Sequence, residues 1–125
     1  MVSEARHFAR LFRVELDDLI EDMQLLIDRT EKRFESGEIT PYVRMENEAL
    51  FRRELDAITK FAGIVDGIDA SIYKCTADIE AVLLEKSRDF VSRLEDPGAV
   101  HVLLKRKLEK VRKYISLDAS ASAPQ

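Results

Sequence analysis

Helix-breaking residues are scarce in this chain, and their positions constrain its fold more than any other feature. Among 125 residues there are only four glycines and three prolines. All of them except the proline near the C-terminus fall in three short segments, residues 37–41, 63–67 and 97–98. Glycine and proline are the residues least compatible with a helix interior. The chain therefore divides into four long stretches, each able to form one helix.

The first stretch shows the periodicity of an amphipathic helix most clearly. Its apolar side alternates steps of four and three residues and consists of Phe12, Leu16, Leu19, Met23, Leu26 and Thr30. Such steps place side chains on one side of a helix. This side is wider than the seam of a two-stranded coiled coil, because it also includes Ile20, Ile27 and Phe34. With Ser3 as cap and a stop at residues 36–37, the pattern predicts a bundle helix over 3–36.

The second turn is marked less clearly than the other two. Gly63 and Gly67 lie close to two aspartates that can cap a helix, and we place the turn at residues 62–69. The reason is length, because an unbroken helix over 41–94 would extend about 80 Å at 1.5 Å per residue. That is too long for a domain of this size.

These boundaries predict four helices, at about 3–36, 41–62, 69–95 and 98–117. Thr40 and Pro41 begin the second helix as its N-cap and first residue. Turns this short join antiparallel neighbours. The sequence therefore predicts an all-α, up-down-up-down four-helix bundle of long amphipathic helices in residues 1–117. The small and polar residues at 118–125 predict a disordered C-terminal tail.

Unequal helix lengths suggest an exposed apolar end. If the second helix ends at residue 62, it is too short to cover the whole first helix, and the first dozen residues project past it. That part contains four apolar residues, Phe8, Leu11, Phe12 and Val14. Such a patch is covered by another protein surface in most proteins, so we expect a self-association interface, a homodimer, at these residues. The alternatives are that a different protein covers these residues or that they pack within the monomer.

Polar residues interrupt the apolar sides of the predicted helices. At 100° per residue, Asn47 and Glu54 lie within the apolar side of the second helix, and Lys86 and Arg93 lie within that of the third. Thr30 comes at a similar height on the first helix. The ordinary interpretation is a buried polar network that sets the register of the helices. The alternatives are a small pocket for a polar ligand and burial in an interface.

The fourth predicted helix is strongly basic. Between residues 105 and 113 it has six positive residues and one negative residue, although the whole chain has a net charge of −4. Such a helix can bind phosphates of nucleic acid or an acidic lipid surface. It can equally complement acidic side chains on the neighbouring helices. The candidate anion patch consists of Lys105, Arg106, Lys110 and Lys113.

Other classes of function have no support in the sequence. Two histidines cannot complete the paired Glu-x-x-His motifs of a di-iron bundle, so we predict no metal and no cofactor. Cys75 has the spacing of a core residue and no histidine to activate it, and no catalytic motif is present. A single cysteine and the lack of about 18 consecutive apolar residues are typical of a cytoplasmic protein.

We therefore expect a non-enzymatic protein that acts through protein–protein interaction or as a scaffold, and that self-associates. The first alternative is an anion-binding module that uses the basic fourth helix. A ligand- or metal-binding bundle comes third, because only the polar residues inside the bundle favour it.

Overall fold

The computed structural model describes residues 4–94 and 98–122. It contains four α-helices and one short 3₁₀ helix. Their bounds are α1 Glu4–Glu35, α2 Pro41–Asp66, the 3₁₀ helix Ala70–Ile72, α3 Thr76–Val91 and α4 Gly98–Ser122. No strand occurs within the described ranges, and the helices pack against one another. The predicted all-α four-helix bundle is confirmed.

The turn between α1 and α2 is formed by the residues that the sequence indicated. Gly37 has a positive φ of 79°, a conformation that other residues adopt at a cost. Its N–H donates to the carbonyl of Phe34 and the next N–H donates to that of Arg33, so the last carbonyls of α1 are satisfied. Thr40 then caps α2, because its hydroxyl oxygen accepts from the N–H of Val43 at 3.2 Å.

The second helix is longer than predicted, and the turn after it lies later in the chain. Gly63 is inside α2, which ends at Asp66 with Gly67 as its C-cap. The prediction that the turn spans 62–69 is therefore wrong. A glycine inside a helix costs about 1 kcal/mol, and burial of Phe61 and Val65 on either side of Gly63 offsets this cost.

The third helix is correspondingly shorter than predicted. The chain passes from Asp69, which caps the 3₁₀ helix through the N–H of Ser71, to the first residue of α3 at Thr76. Ile72 is 69% exposed in this connection. Cys75 is the N-cap residue of α3 and is half-buried, so it does not lie on the core side of a helix.

The core forms where α1 packs against each of the other helices. Phe8, Phe12 and Leu16 of α1 are completely buried there. Phe61 of α2 lies between two other rings, with its centroid 6.2 Å from that of Phe12 and 5.5 Å from that of Phe90. Edge-to-face and tilted aromatic contacts of this kind stabilise a core beyond the area that they bury.

The predicted overhang of α1 is absent, and the more open end of the bundle is the opposite one. Because α2 extends to Asp66 and is followed by the 3₁₀ helix, which also contacts α1, the first turns of α1 are covered within the monomer. All the buried residues of α2 lie between Ala57 and Val65, in its C-terminal part. The side of α2 near the first turn is covered less, because α3 has only 16 residues whereas α1 has 32.

The fourth helix ends at Ser122, five residues later than the predicted end at 117. The predicted tail at 118–125 thus falls partly on the last residues of α4. Residues 123–125, and the aspartate and proline of the predicted breaker at 96 and 97, lie outside the described residues.

Candidate interaction surface

A shallow groove of about 130 Å³ runs between α1 and α4 on the outside of the bundle. Its lining residues are Leu11, Val14, Glu15, Lys110, Val111 and Tyr114. Val14 is 54% exposed and Tyr114 is 56% exposed. The α1/α4 groove, as we call this feature, therefore presents apolar side chains to the solvent on both of its walls.

A buried carboxylate joins the two walls of the α1/α4 groove. Glu15, whose side chain is only 14% exposed, accepts hydrogen bonds from Lys107 at 3.2 Å and from Lys110 at 3.0 Å. Burial acts to raise the pKa of Glu15, but the hydrogen bonds and positive charges of Lys110 and Lys107 outweigh it, and the pKa is lowered. The hydrogen bond to Glu15 in turn raises the pKa of Lys110. This ion-pair triad sets the position of α4 along α1.

The four residues predicted as an exposed interface fall into two groups. Phe8 and Phe12 are completely buried in the monomer core, so the prediction that they form an exposed patch is wrong. Leu11 is half-buried and Val14 is exposed, and both line the α1/α4 groove. Only one edge of the predicted surface therefore faces the solvent.

Two of the five residues of the predicted polar network, Lys86 and Arg93, lie at the surface of the bundle. Thr30 is buried, but its hydroxyl donates to the carbonyl of Leu26 in its own helix. Asn47 and Glu54 are half-buried on α2. Lys86 and Arg93 are exposed, and Arg93 pairs with Asp89 one turn before it. The prediction is wrong for Lys86 and Arg93, because Lys86 lies on the solvent side of α3 and Arg93 lies in the exposed turn after its end.

A different polar cluster lies near the turn between α1 and α2. Arg44 donates to Glu31 at 2.7 Å, lies 3.7 Å from Glu48 and stacks 4.4 Å above the ring of Phe34. The hydrogen bond with the Glu31 carboxyl group, burial and the negative charge of Glu31 raise the pKa of Glu48. Arg44 thus joins two acidic groups from different helices. This pairing could not be predicted from the sequence, because nothing distinguishes the three charged residues from ordinary surface positions.

The predicted anion patch lies on the exposed side of α4. Lys105, Arg106 and Lys113 are exposed and make no hydrogen bond or ion pair within residues 4–94 and 98–122. Lys110 differs, because it is 61% exposed but paired with Glu15. The alternative, that the basic residues complement acidic side chains on neighbouring helices, therefore holds for only part of α4. Lys107 and Lys110 pair with Glu15, and Arg112 pairs with Glu80.

Sequence reasoning missed the residues that shape the groove from the α4 side. Val111 and Tyr114 belong to the helix that the sequence distinguished only by its positive charge, and Glu15 is one of several acidic residues on α1. The available signal was the position of Glu15 beside the apolar side of α1, where a buried carboxylate requires a basic partner. The identity of that partner depends on which helix packs there.

Two general searches give negative results for the described part of the chain. None of its helices combines the length and the hydrophobicity that crossing a bilayer requires. No three histidine, cysteine, aspartate or glutamate side chains in it are grouped closely enough to hold a metal ion.

Comparison of the chain with protein-family models, with curated proteins and with solved structures finds no match.

Proposed function

We propose that this chain is a non-enzymatic helical-bundle interaction protein that self-associates through the α1/α4 groove. The observation that supports the proposal most directly is the exposure of Val14 and Tyr114 on opposite walls of one concave surface. Tyrosine is enriched in the centres of protein interfaces, because its ring buries a large area at a low cost in side-chain entropy. A partner that fills the groove would bury both side chains together with Leu11.

The proposal differs from the sequence prediction in the surface that it uses. The buried rings of Phe8 and Phe12 stabilise the monomer, whereas Leu11 and Val14 remain available for contact. The ion-pair triad of Glu15 holds the two walls together without a partner. The groove is therefore formed in the monomer, and pre-organisation of this kind lowers the entropic cost of association.

The test is the solution mass, measured by size-exclusion chromatography with light scattering across a wide range of protein concentration. We expect a mass that rises above the monomer with concentration, and a monomer at every concentration for Val14→Glu. Ile72→Glu is the matched control, because Ile72 is 69% exposed but lies outside the groove. A wild-type monomer at all concentrations, or equal effects of the two substitutions, would contradict the proposal.

A second candidate function is anion binding by α4. The observation that favours it is that Lys105, Arg106 and Lys113 are exposed without an acidic partner in the described ranges. Binding to nucleic acid or to acidic vesicles should weaken steeply with salt. It should also be lost when Lys105, Arg106, Lys110 and Lys113 are changed to glutamine, and be kept when Lys32, Lys60 and Lys86 are changed. Binding that ignores salt or the first set of changes would contradict this candidate.

We also propose the cytoplasm as the compartment of this protein. Its single cysteine can form no internal disulfide, which is typical of proteins in a reducing environment.

A further inference from the structure

The solvent side of α1 presents a short row of apolar and acidic side chains. Val14, Asp18, Glu21 and Leu25 follow steps of four, three and four residues, and all four are exposed. These steps place them on one side of the helix. The row, which we call the acidic stripe, begins at the α1/α4 groove with Val14 and has an apolar residue at each end.

The solvent side of α4 presents the opposite charge in the same pattern. Val102, Arg106, Lys110, Lys113 and Leu117 follow steps of four, four, three and four residues, and all five are exposed. Their last four members repeat the steps of the acidic stripe. Leu117 is 71% exposed and Val102 is 46% exposed. This basic stripe also has an apolar residue at each end and a charged centre.

The charged centres of the two stripes are mostly unpaired in the monomer. Glu21, Arg106 and Lys113 make no hydrogen bond or ion pair with any described part of the chain. The Lys110 ammonium is the exception, because Glu15 binds it from inside the groove and Asp18 adds to the surrounding negative charge. Each stripe therefore has charged side chains that the opposite charges of the other stripe can pair with.

The two stripes lie on helices that are antiparallel neighbours. Lys107 and Lys110 of α4 contact Glu15, whereas Tyr114, further along α4, lines the groove with Leu11, which comes earlier in α1. A two-fold axis parallel to these helices would set α1 of each protomer against α4 of the other, again antiparallel. Such an isologous interface makes each charge contact twice.

We propose that the partner at the α1/α4 groove is a second copy of this chain, bound with the acidic stripe of each protomer on the basic stripe of the other. The inference rests on the proposed self-association and specifies its geometry. The apolar residues of the groove, Val14 and Tyr114, lie near the centre of this interface and supply buried area. The charged residues select the partner and its orientation, because like charges placed opposite one another disfavour association.

The test uses two charge-reversed variants of the full chain. The first contains Asp18→Lys and the second contains Arg106→Glu, because the two-fold axis leaves each residue at its own height and Asp18 then comes opposite Arg106 of the other protomer. Each variant alone places like charges in both contacts, so its dimerisation should weaken about a hundredfold or more. Mixing the two variants restores opposite charges in both contacts, and a 1:1 heterodimer should form. The masses are measured by light scattering, and the composition of the mixture by native mass spectrometry.

The control variant contains Glu35→Lys and Glu85→Lys, which reverse two exposed acidic residues outside the stripes. It should dimerise like the wild type, and circular dichroism should show that all variants are folded. If the stripe variants dimerise as well as the wild type while Val14→Glu does not, this arrangement is wrong and self-association through the groove stands. If the mixture forms no heterodimer, the arrangement is also overturned. A wild-type monomer would overturn the proposed self-association itself.

Discussion

Truncation of Phe12 tests the largest difference between the predicted and the observed role of a residue in this chain. The ring is completely buried and meets the ring of Phe61 edge-on at 6.2 Å. Replacing a buried phenylalanine by alanine removes its transfer free energy and leaves a cavity, at a total cost of about 3–5 kcal/mol. A domain of this size has a free energy of unfolding of about 5–15 kcal/mol, so Phe12→Ala should remove a large part of its stability.

The assay is equilibrium unfolding in urea, followed by circular dichroism at 222 nm as is usual for helices. With an m-value of about 2 kcal/mol per molar, the midpoint should fall by about 2 M. In thermal unfolding, the entropy expected for 125 residues converts the loss into about 12–20 °C. Val14→Ala is the control, because its side chain is 54% exposed and the change should stay within about 0.5 kcal/mol.

Protein concentration separates the two roles of Phe12. If a residue is buried within its own chain, truncating it lowers the free energy of unfolding by the same amount at every protein concentration. If a residue is buried only in a dimer interface, the effect of truncating it disappears on dilution, because dimerisation stabilises the fold by mass action. A loss below about 1 kcal/mol, or one that disappears in dilute solution, would refute the packing described for α1.

Three further predictions concern the helix ends, the ion-pair triad and one buried hydroxyl. Gly63→Ala should raise the free energy of unfolding by about 0.5–1 kcal/mol, because Gly63 lies inside α2 with no atom within 4 Å of the new methyl group. Gly37→Ala should lower the free energy of unfolding, because φ at Gly37 is 79°. Equal effects of the two substitutions in urea unfolding would contradict the position of the second turn. Glu15→Gln should destabilise by about 1–2 kcal/mol at neutral pH. Because the pKa of Glu15 is lowered from 4.5 in the folded state, its stabilisation is complete above that value and is lost as the pH falls through the folded pKa, so wild type and variant should converge in acid; a constant difference across the pH range would argue against an ionised Glu15 in the triad. Ser87→Ala should leave stability unchanged or raise it, since the Ser87 hydroxyl is fully buried without a hydrogen-bond partner in the described residues; a clear loss in thermal unfolding would show that the hydroxyl is bonded.

Local signals in the sequence determined the elements that depend on neighbouring residues. Ser36, Gly37, Thr40 and Pro41 were enough to predict the end of α1 and the start of α2, because capping hydrogen bonds and a positive φ are properties of a few adjacent residues. The periodicity of α1 likewise predicted its apolar side, and the residues named for it are buried except Ile20, Leu26 and Phe34, which are half-buried. The number of α-helices, and therefore the fold class, followed from the sequence alone.

Tertiary packing decided where α2 ends and which apolar residues face the solvent. Gly63 looked like a turn residue, but the burial of Phe61 and Val65 favours continuing the helix past it. With the added turn of α2 and the 3₁₀ helix packed beside α1, Phe8 and Phe12 are buried, and Val14 is exposed instead. A small error in a helix boundary therefore changed the predicted interface, because the boundary determines which part of the chain packs against each residue of α1.

Tertiary structure alone also decided which charged residues meet. Glu15 and Lys107 are 92 positions apart in the chain. Judged from the sequence, many other acidic and basic residues could form an ion pair equally well. Which of them form buried ion pairs depends on the helices that become neighbours and on their relative height. The basic character of α4 could be predicted from its sequence, but the division of its charges into paired and exposed groups required the packed bundle.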